Sequence, residues 1–326
     1  MEPRKNTQLY DRDVSTSFYN ERYSKGYMDD WPDVKKQKIR EVLLSLNVPK
    51  EGMVLDFGCG NGVLTELIGQ TLTDWTAYGT DLSSVAVENA RKRYSKRHFF
   101  CHEDEDLSSR KFDLVITHHV LEHVYDISAV LQEISGYVKP GGAMLHILPC
   151  GNEGSFGHHL ARMRKQGINP QQGNRFFFED EGHVRRMTTE ELATVCAKHG
   201  FRLNSEFYSG HCFSSIDYFT KNEPKLIPVM TDWSHGVDAA SKFRIFVLRL
   251  LLVGIAAFRK FSNIFEQIHS DRKSLKEWSV LVFAFPVYLI ARGIDRYVTA
   301  KSDNEWNTRK LDRRGGEMFL YFVRDQ

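Results

Sequence analysis

The sequence has no paired-cysteine pattern, no long uncharged stretch and no excess of either charge, and each absence narrows what the chain can be. Five cysteines (Cys59, Cys101, Cys150, Cys196 and Cys212) are scattered, without a CxxC pair or metal-ligand spacing. An odd, scattered set argues against a disulfide framework and fits a reducing, cytoplasmic setting. The 44 Lys and Arg nearly cancel the 42 Asp and Glu, so no overall field draws nucleic acid to the surface. The opening residues, MEPRKNTQLYDRD, lack the apolar run of a secretory signal. No repeat or low-complexity segment is visible. What remains is a globular chain of 326 residues, 41% of them hydrophobic, enough for one large core or two small ones.

From Met53 to about Leu148, short apolar runs (MVLDF, TAYGT, HFFC, FDLVIT, AMLHIL) alternate with helical patterns over Gly62 to Gln70, Ser83 to Arg93 and Ile127 to Val138. That alternation predicts a parallel sheet with crossover helices, a doubly wound α/β core. A Lys-Pro-Gly-Gly turn at Lys139 to Gly142 separates the last of these helices from its strand. MTTEELATVCAKHGF reads as a helix capped by Thr188 or Thr189 and closed by Gly200, with a strand over Phe201 to Tyr208. EMFLYFVR is strand-like again, more than a hundred residues later. Four parts follow: an N-terminal helical cap over residues 1–50, carrying a helix at Val34 to Leu46 and the aromatic segment FYNERYSKGY, whose rings either cover the site or simply pack; a core over 51–208; a helical insertion over 209–316; and a final strand over 317–326.

The stretch VLDFGCGNGVL, Val54 to Leu64, carries the chemistry. Gly58, Gly60 and Gly62 follow an apolar strand and open a helix, which lets a ligand approach bare backbone. A plain strand-to-helix turn explains one glycine but not three. The dinucleotide template GxGxxG would place Gly or Ala where Val63 stands, and Asp56 would set a negative charge beside a pyrophosphate. The ligand should be cationic. Asp81, ending TAYGTD 19 positions after Gly62, is placed to accept from two ribose hydroxyls; its bland alternative is a helix N-cap.

In order along the chain, DFGCGNG, TDLS, HEDEDL, FDLVITHHVLEHV and VKPGG resemble the motifs of the class I S-adenosylmethionine (SAM)-dependent methyltransferases, the small-molecule and quinone-biosynthesis O-methyltransferases in particular. The resemblance runs from Val54 to Tyr208. It implies a Rossmann-like doubly wound sheet with a largely helical insertion before the last strand, and SAM as cofactor. Asp56, Gly58 and Gly60 would form the glycine turn of the cofactor site, Asp81 its ribose edge and Glu103 and Asp104 its adenine edge, with Leu82 and His118 also among the cofactor-binding residues.

Methyl transfer to a hydroxyl needs an oriented nucleophile and a proton acceptor. His119 and His123 follow the strand FDLVIT at the carboxyl edge, where open α/β sheets bind ligands, and His183 precedes a helix that returns there. These three are the catalytic candidates, against a reading of His123 as a buried structural residue. His158 and His159 are lesser ones. His119, Glu122, His123 and His183 also resemble the ExxEH-plus-His set that holds a divalent metal in some quinone-biosynthesis and small-RNA methyltransferases, except that His119 stands where a Glu is expected; the metal stays uncommitted.

In the insertion, FRIFVLRLLLVGIAAF contains Arg249, and WSVLVFAFPVYLIA is only 14 residues long and contains Pro286, against the roughly 20 apolar residues of a spanning helix. Lys242, Arg244, Arg249, Arg259, Lys260, Arg272, Lys273 and Lys276 surround them, a pattern suited to an anionic membrane surface, or else to a subdomain or dimer interface. The expected function is O-methylation of a glycan, lipid-linked or other small-molecule acceptor at the cytoplasmic membrane face. An RNA methyltransferase and a non-catalytic SAM-binding or membrane-scaffold protein are the alternatives.

Overall fold

In the computed structural model, residues 12–102, 104–180, 182–269 and 275–324 are described. Two helices, α1 (Arg12–Ser24) and α2 (Asp33–Ser45), precede the alternating core: β1 (Gly52–Phe57), α3 (Val63–Thr71), β2 (Trp75–Asp81), α4 (Ser84–Arg93), β3 (His98–Cys101), α5 (Glu105–Ser108), β4 (Phe112–His118), α6 (Ile127–Tyr137) and β5 (Val138–Pro149). After α7 (Phe156–Arg162) and the short β6 (Ile168–Asn169) and β7 (Arg175–Phe176) come α8 (Thr189–Lys198) and β8 (Phe201–Ser209). Then α9 (Cys212–Lys221), α10 (Ile227–Met230), α11 (Ala239–His269) and α12 (Leu275–Arg309) lead to β9 (Glu317–Arg324).

Seven strands form one sheet in the order β3-β2-β1-β4-β5-β9-β8. The pairs β1–β2, β1–β4, β2–β3 and β4–β5 are parallel, and β9 lies antiparallel to β5. This is the Rossmann-like doubly wound sheet expected from the alternation of apolar runs. Strand order reverses between β1 and β4, which puts the crevice that open α/β sheets use for ligands at the carboxyl ends of these strands. The apolar runs are continuous because both faces are covered: Val54, Leu55, Leu114, Val115, Ile116, Met144, Leu145 and Ile147 are all buried. Local chemistry fixes the helix starts. Ser83 caps α4 by accepting from the Ala86 amide, and Thr188 with Glu191 makes a full capping box on α8. The Ser209 carbonyl accepts from the Gly316 amide at 2.8 Å, so the end of β8 lies beside the start of β9.

The chain divides into two compact units. The first runs to Cys150, resumes for Glu181–Phe207 and takes the strand from Glu317 onward. The second consists of Gly151–Asp180 and Tyr208–Gly316. The core expected to run unbroken to residue 208 is therefore interrupted. The reason is packing: Phe156, Leu160 and Phe178 join Met230, Ile245, Phe219 and Leu248 in an apolar cluster of the second unit. His158 and His159, on α7, belong to that unit as well.

Within the second unit, α11 and α12 pack on each other and on α9. Ile216, Ile227, Leu252 and Val298 form its centre. Arg259, counted above among the surface basic residues, is 5% exposed and pairs with Asp217 at 2.6 Å and Asp295 at 2.9 Å. Its guanidinium is held by acids from two other helices and is not available to an anionic surface. Arg272 and Lys273 lie outside the described residues. The outer faces of the helix pair are apolar and exposed: Phe243, Val247, Leu250 and Leu251 on α11, and Phe283, Leu289 and Ile290 on α12, with Phe283 84% exposed. Among the described residues, no helix is long and apolar enough to cross a membrane.

One buried residue sets an acid limit on the sheet. His146 on β5 is fully buried, faces Thr117 Oγ1 at 2.8 Å through Nδ1 and leaves Nε2 without a partner. Burial lowers its pKa from 6.5 to about 3. Unfolded, it takes up a proton below its ordinary pKa; folded, it stays neutral until about pH 3. Its contribution is therefore whole above pH 6.5 and fades as pH falls. Between pH 6.5 and 5 this one residue should cost about 2 kcal/mol of stability. Urea unfolding at the two pH values checks this, and His146→Gln should flatten the slope.

Candidate active site

The crevice is built from the glycine turn after β1. Gly58, Gly60 and Gly62 sit at φ +81°, +51° and +80°, a region that side-chain-bearing residues avoid. The first two amides of the turn, Gly58 and Cys59, donate to the Thr80 carbonyl at 2.8 and 2.9 Å, which ties the turn to the end of β2. A Cβ on Gly58 would strike Val120, and one on Gly62 would strike Phe99 and Ala90. The Asp81 carboxylate closes the arrangement: Oδ2 accepts from the Gly60 amide and Oδ1 from the Ser83 amide, both at 2.8 Å. Ser83 is the N-cap of α4, so Asp81 is not. Burial raises its pKa even though these amides oppose the rise.

Asp56 lies beneath the turn, wholly buried. Thr65 Oγ1 donates to its Oδ2 at 2.7 Å, and Oδ1 has no partner. Burial, reinforced by Asp81 and only partly offset by Thr65, raises its pKa to about 7. A buried, unsatisfied carboxylate next to bare backbone fits a cationic amine. Leu82 presents an exposed apolar side chain at the rim. Asp104 accepts from the Cys101 amide at 2.9 Å and lies 3.5 Å from Arg91. Glu103 is outside the described residues.

The histidines gather on the other side of the crevice, where β4 ends. His118 is buried against the Trp31 ring at 4.3 Å, with Nε2 unpartnered, and burial holds its pKa well below 6.5. His119, at φ +53°, turns back between two acids. Its Nδ1 lies 2.7 Å from Glu122 Oε1, and its Nε2 lies 3.0 Å from Glu317 Oε1. Lys35 from α2 stands 3.3 Å from Glu317 and 3.4 Å from His119 Nε2. Burial and Lys35 disfavour a charged imidazole, but the two carboxylates outweigh them and the pKa of His119 rises. For His119 as a proton acceptor this means that a carboxylate at each nitrogen favours the protonated imidazole, the form that cannot accept a proton.

Glu122 is buried too. Burial alone would raise its pKa, yet His119, with His123 and His183 beside it, brings it down to about 2. The His123 and His183 rings meet edge to face at 4.8 Å, and the Val184 amide donates to the Glu122 carbonyl at 2.8 Å, fastening the His183 segment to the end of β4. One ligand atom each from Glu122, His123 and His183 lies within 4.8 Å of the others. Glu122 Oε2 has no partner, so this set fits a divalent cation. His118, His119 and Glu317 make a second such group, with the Lys35 ammonium already beside it.

Lys35, Trp31 and Glu317 were not picked out from sequence. Glu317 left one signal. A strand that runs antiparallel to the core begins where the parallel strands end, so the first residue of EMFLYFVR falls at the carboxyl edge.

A bare-backbone turn, an acid ending the second strand and this strand order define a class I SAM-dependent methyltransferase. The chain belongs to the methyltransferase-domain family, whose model matches residues 31–206. It is 26% identical over 274 residues to the malonyl-[acyl-carrier protein] O-methyltransferase of Priestia megaterium, covering 78% of this chain and 90% of that protein. It is 32% identical over 118 residues to a ubiquinone biosynthesis O-methyltransferase of Bradyrhizobium sp. (strain ORS 278), covering 35% of this chain and 46% of that one, less than half its length. Among solved structures, it is similar to magnesium protoporphyrin IX methyltransferase from Synechocystis PCC 6803 with bound SAH, at 20% identity and a TM-score of 0.44 over 60% of this chain and 92% of that one. The YcgJ protein of Bacillus subtilis aligns at 13% identity and a TM-score of 0.42, over 88% and 95% of the two chains. The protein is a SAM-dependent methyltransferase.

Removing one acid from His119 should change it measurably. Glu317→Gln should lower the His119 pKa, because one of its two carboxylates loses its charge, and cost about 2 kcal/mol of stability through the stranded Lys35. An NMR titration of the histidine ring protons, with urea unfolding alongside, measures both.

Proposed function

We propose that this enzyme methylates an oxygen of a small acceptor, a glycan, a lipid-linked intermediate or another small molecule, presented at a membrane surface. The observation that carries the oxygen chemistry is the Glu122, His123 and His183 cluster at the carboxyl edge, across the crevice from the glycine turn. Two relatives named as O-methyltransferases support the same reading.

When bound, SAM supplies an electrophilic methyl on a sulfonium. On this reading Gly58 and Gly60 give its amino-acid portion close access to the backbone, Asp56 meets its ammonium, and Asp81 accepts from its ribose hydroxyls. Asp104 borders the adenine, and Leu82 and His118 complete the lining. The acceptor oxygen approaches in line with the bond to be broken. His183 or His123 takes its proton, with the Glu122 carboxylate stabilising the imidazolium that forms. His119 stays charged between its two acids and orients Glu122. A divalent cation on Glu122, His123 and His183 would instead lower the acceptor's pKa directly; activity lost to a chelator and restored by a divalent ion identifies that route.

The membrane part of the proposal rests on the second unit. Phe243, Val247, Leu250, Phe283, Leu289 and Ile290 expose apolar surface, and exposed Lys242, Arg244 and Lys260 lie on the same helix pair. Two segments form this unit, one following β5 and one following β8 in the chain. Each basic residue near an anionic surface contributes roughly 1 kcal/mol.

Transfer of labelled methyl from SAM into polar-metabolite and lipid extracts tests the acceptor class, and label in neither extract argues against it. His183→Ala should lower turnover by about 10²- to 10⁴-fold with SAM affinity retained. Asp81→Ala should weaken SAM by ~10- to 100-fold, the loss of charge-assisted hydrogen bonds. SAM affinity should also climb as pH rises through about 7, where Asp56 ionises, and Asp56→Asn should remove that climb; calorimetry at pH 6 and 8 measures it. Wild-type protein should cosediment with vesicles containing anionic lipid at low salt and release at high salt. Phe283→Asp with Leu289→Asp should abolish cosedimentation at unchanged SAM affinity.

A further inference from the structure

The central sheet ends on two very different edges. On one side β3 is only 4 residues long, too short to template another strand. On the other, β8 runs for 9 residues, FRLNSEFYS, without the proline or lysine that commonly blunts an exposed edge. It is the last strand of the sheet, and among the described residues no further strand pairs with its outer side. Near its carboxyl end the Tyr208 amide donates to the Lys310 carbonyl at 2.7 Å, so the open stretch lies before Tyr208. Side chains alternate along that stretch. Arg202, Asn204 and Glu206 share one face, Arg202 and Asn204 exposed and Glu206 half-buried. Leu203, Ser205 and Phe207 share the other, all half-buried. The charged face has a symmetry of its own: opposite charges stand at equal spacing on either side of Asn204.

We propose that β8 pairs antiparallel with β8 of a second copy of this chain, about a twofold axis at Asn204, joining two sheets edge to edge. In that register Arg202 of each copy lies opposite the partner's Glu206, so one strand sequence makes two ion pairs, and Asn204 meets its own equivalent. The charges select the register. A twofold axis normal to the sheet keeps each face on its own side, so the neighbouring centres are Leu203 and Ser205. Either one sets both charged residues opposite neutral ones: Asn204 and Gly200 in the first case, Tyr208 and Asn204 in the second. On the other face, Leu203 comes within diagonal reach of the partner's Leu203 and the partner's Phe207. Pairing thus covers apolar side chains that the single chain leaves half-exposed, and occupies the backbone groups of an edge that would otherwise stay open to wrong partners.

Sedimentation of charge variants tests the register as well as the contact. The wild-type chain should be a dimer across the micromolar range. Arg202→Glu sets Glu opposite Glu in both pairs, and Glu206→Arg sets Arg opposite Arg; each should raise the Kd of the dimer at least ~10-fold. An equimolar mixture of these two variants should dimerise like wild type, because opposite charges then meet at both positions, and so should the double variant carrying both changes. SAM affinity, to which β8 contributes no residue in the site described above, serves as the check that each variant is folded. A wild-type chain that stays monomeric would overturn the proposal and leave the edge to a strand of another protein. A dimer indifferent to both single reversals would overturn it by placing the interface elsewhere. Single variants that weaken the dimer without rescue in the mixture would overturn the register, and with it the assignment.

Discussion

His119, gripped at both nitrogens by carboxylates, joins parts of the chain that are far apart in sequence. Glu122 holds Nδ1 from three residues away, and Glu317 reaches Nε2 from 198 residues away. Lys35 of α2 completes the group. Two acids, the Lys35 ammonium and an imidazole whose protonated form they favour balance one another in a partly buried group, where an unpaired charge would be costly. The contact fixes a left-handed backbone at His119 and sets where Glu122 points. Through Glu122 it also sets the environment of His123 and His183. The geometry of the candidate site depends on a charge balance drawn from three separate stretches of chain.

The core was legible because its signals are local. Apolar runs, a glycine turn and the caps at Ser83 and Thr188 act within a few residues, and the sheet followed from their alternation. Asp56, Asp81, His123 and His183 could be chosen because each sits beside such a landmark. Lys35 and Trp31 have no landmark, since an amphipathic helix does not say which of its residues will meet a strand end. The protonation state of His119 was hidden for the same reason: it depends on Glu317, whose approach is a matter of strand order. The interruption of the core at Gly151 was missed because Phe156, Leu160 and Phe178 look like any loop-borne apolar residues until their partners on α9, α10 and α11 are known. Arg259 shows the reverse error. Composition placed it on a basic rim, and Asp217 with Asp295 drew it inside.

The second unit stores most of its apolar surplus on the outside. Its interior is satisfied by Ile216, Leu252 and Val298 and by the Arg259 network, so the exposed Phe283, Leu289 and Ile290 are not needed to hold it together. Large apolar side chains left in water lower solubility and favour wrong associations. α11 and α12 are long enough to hold this exposed apolar surface while their other faces pack.

Glu317 stands at the far side of a long excursion from the residue it grips, and this orders the events of biosynthesis. As the chain emerges, the glycine turn and the first five strands are complete long before Glu317 exists. Closing a loop of this length also carries an entropic cost that rises slowly with its size, so β9 can settle beside β5 once the intervening helices have compacted. Until then His119 lacks its second acid. The glycine turn therefore has its surrounding strands early, while the charge group at His119 is completed only when the last strand has been made.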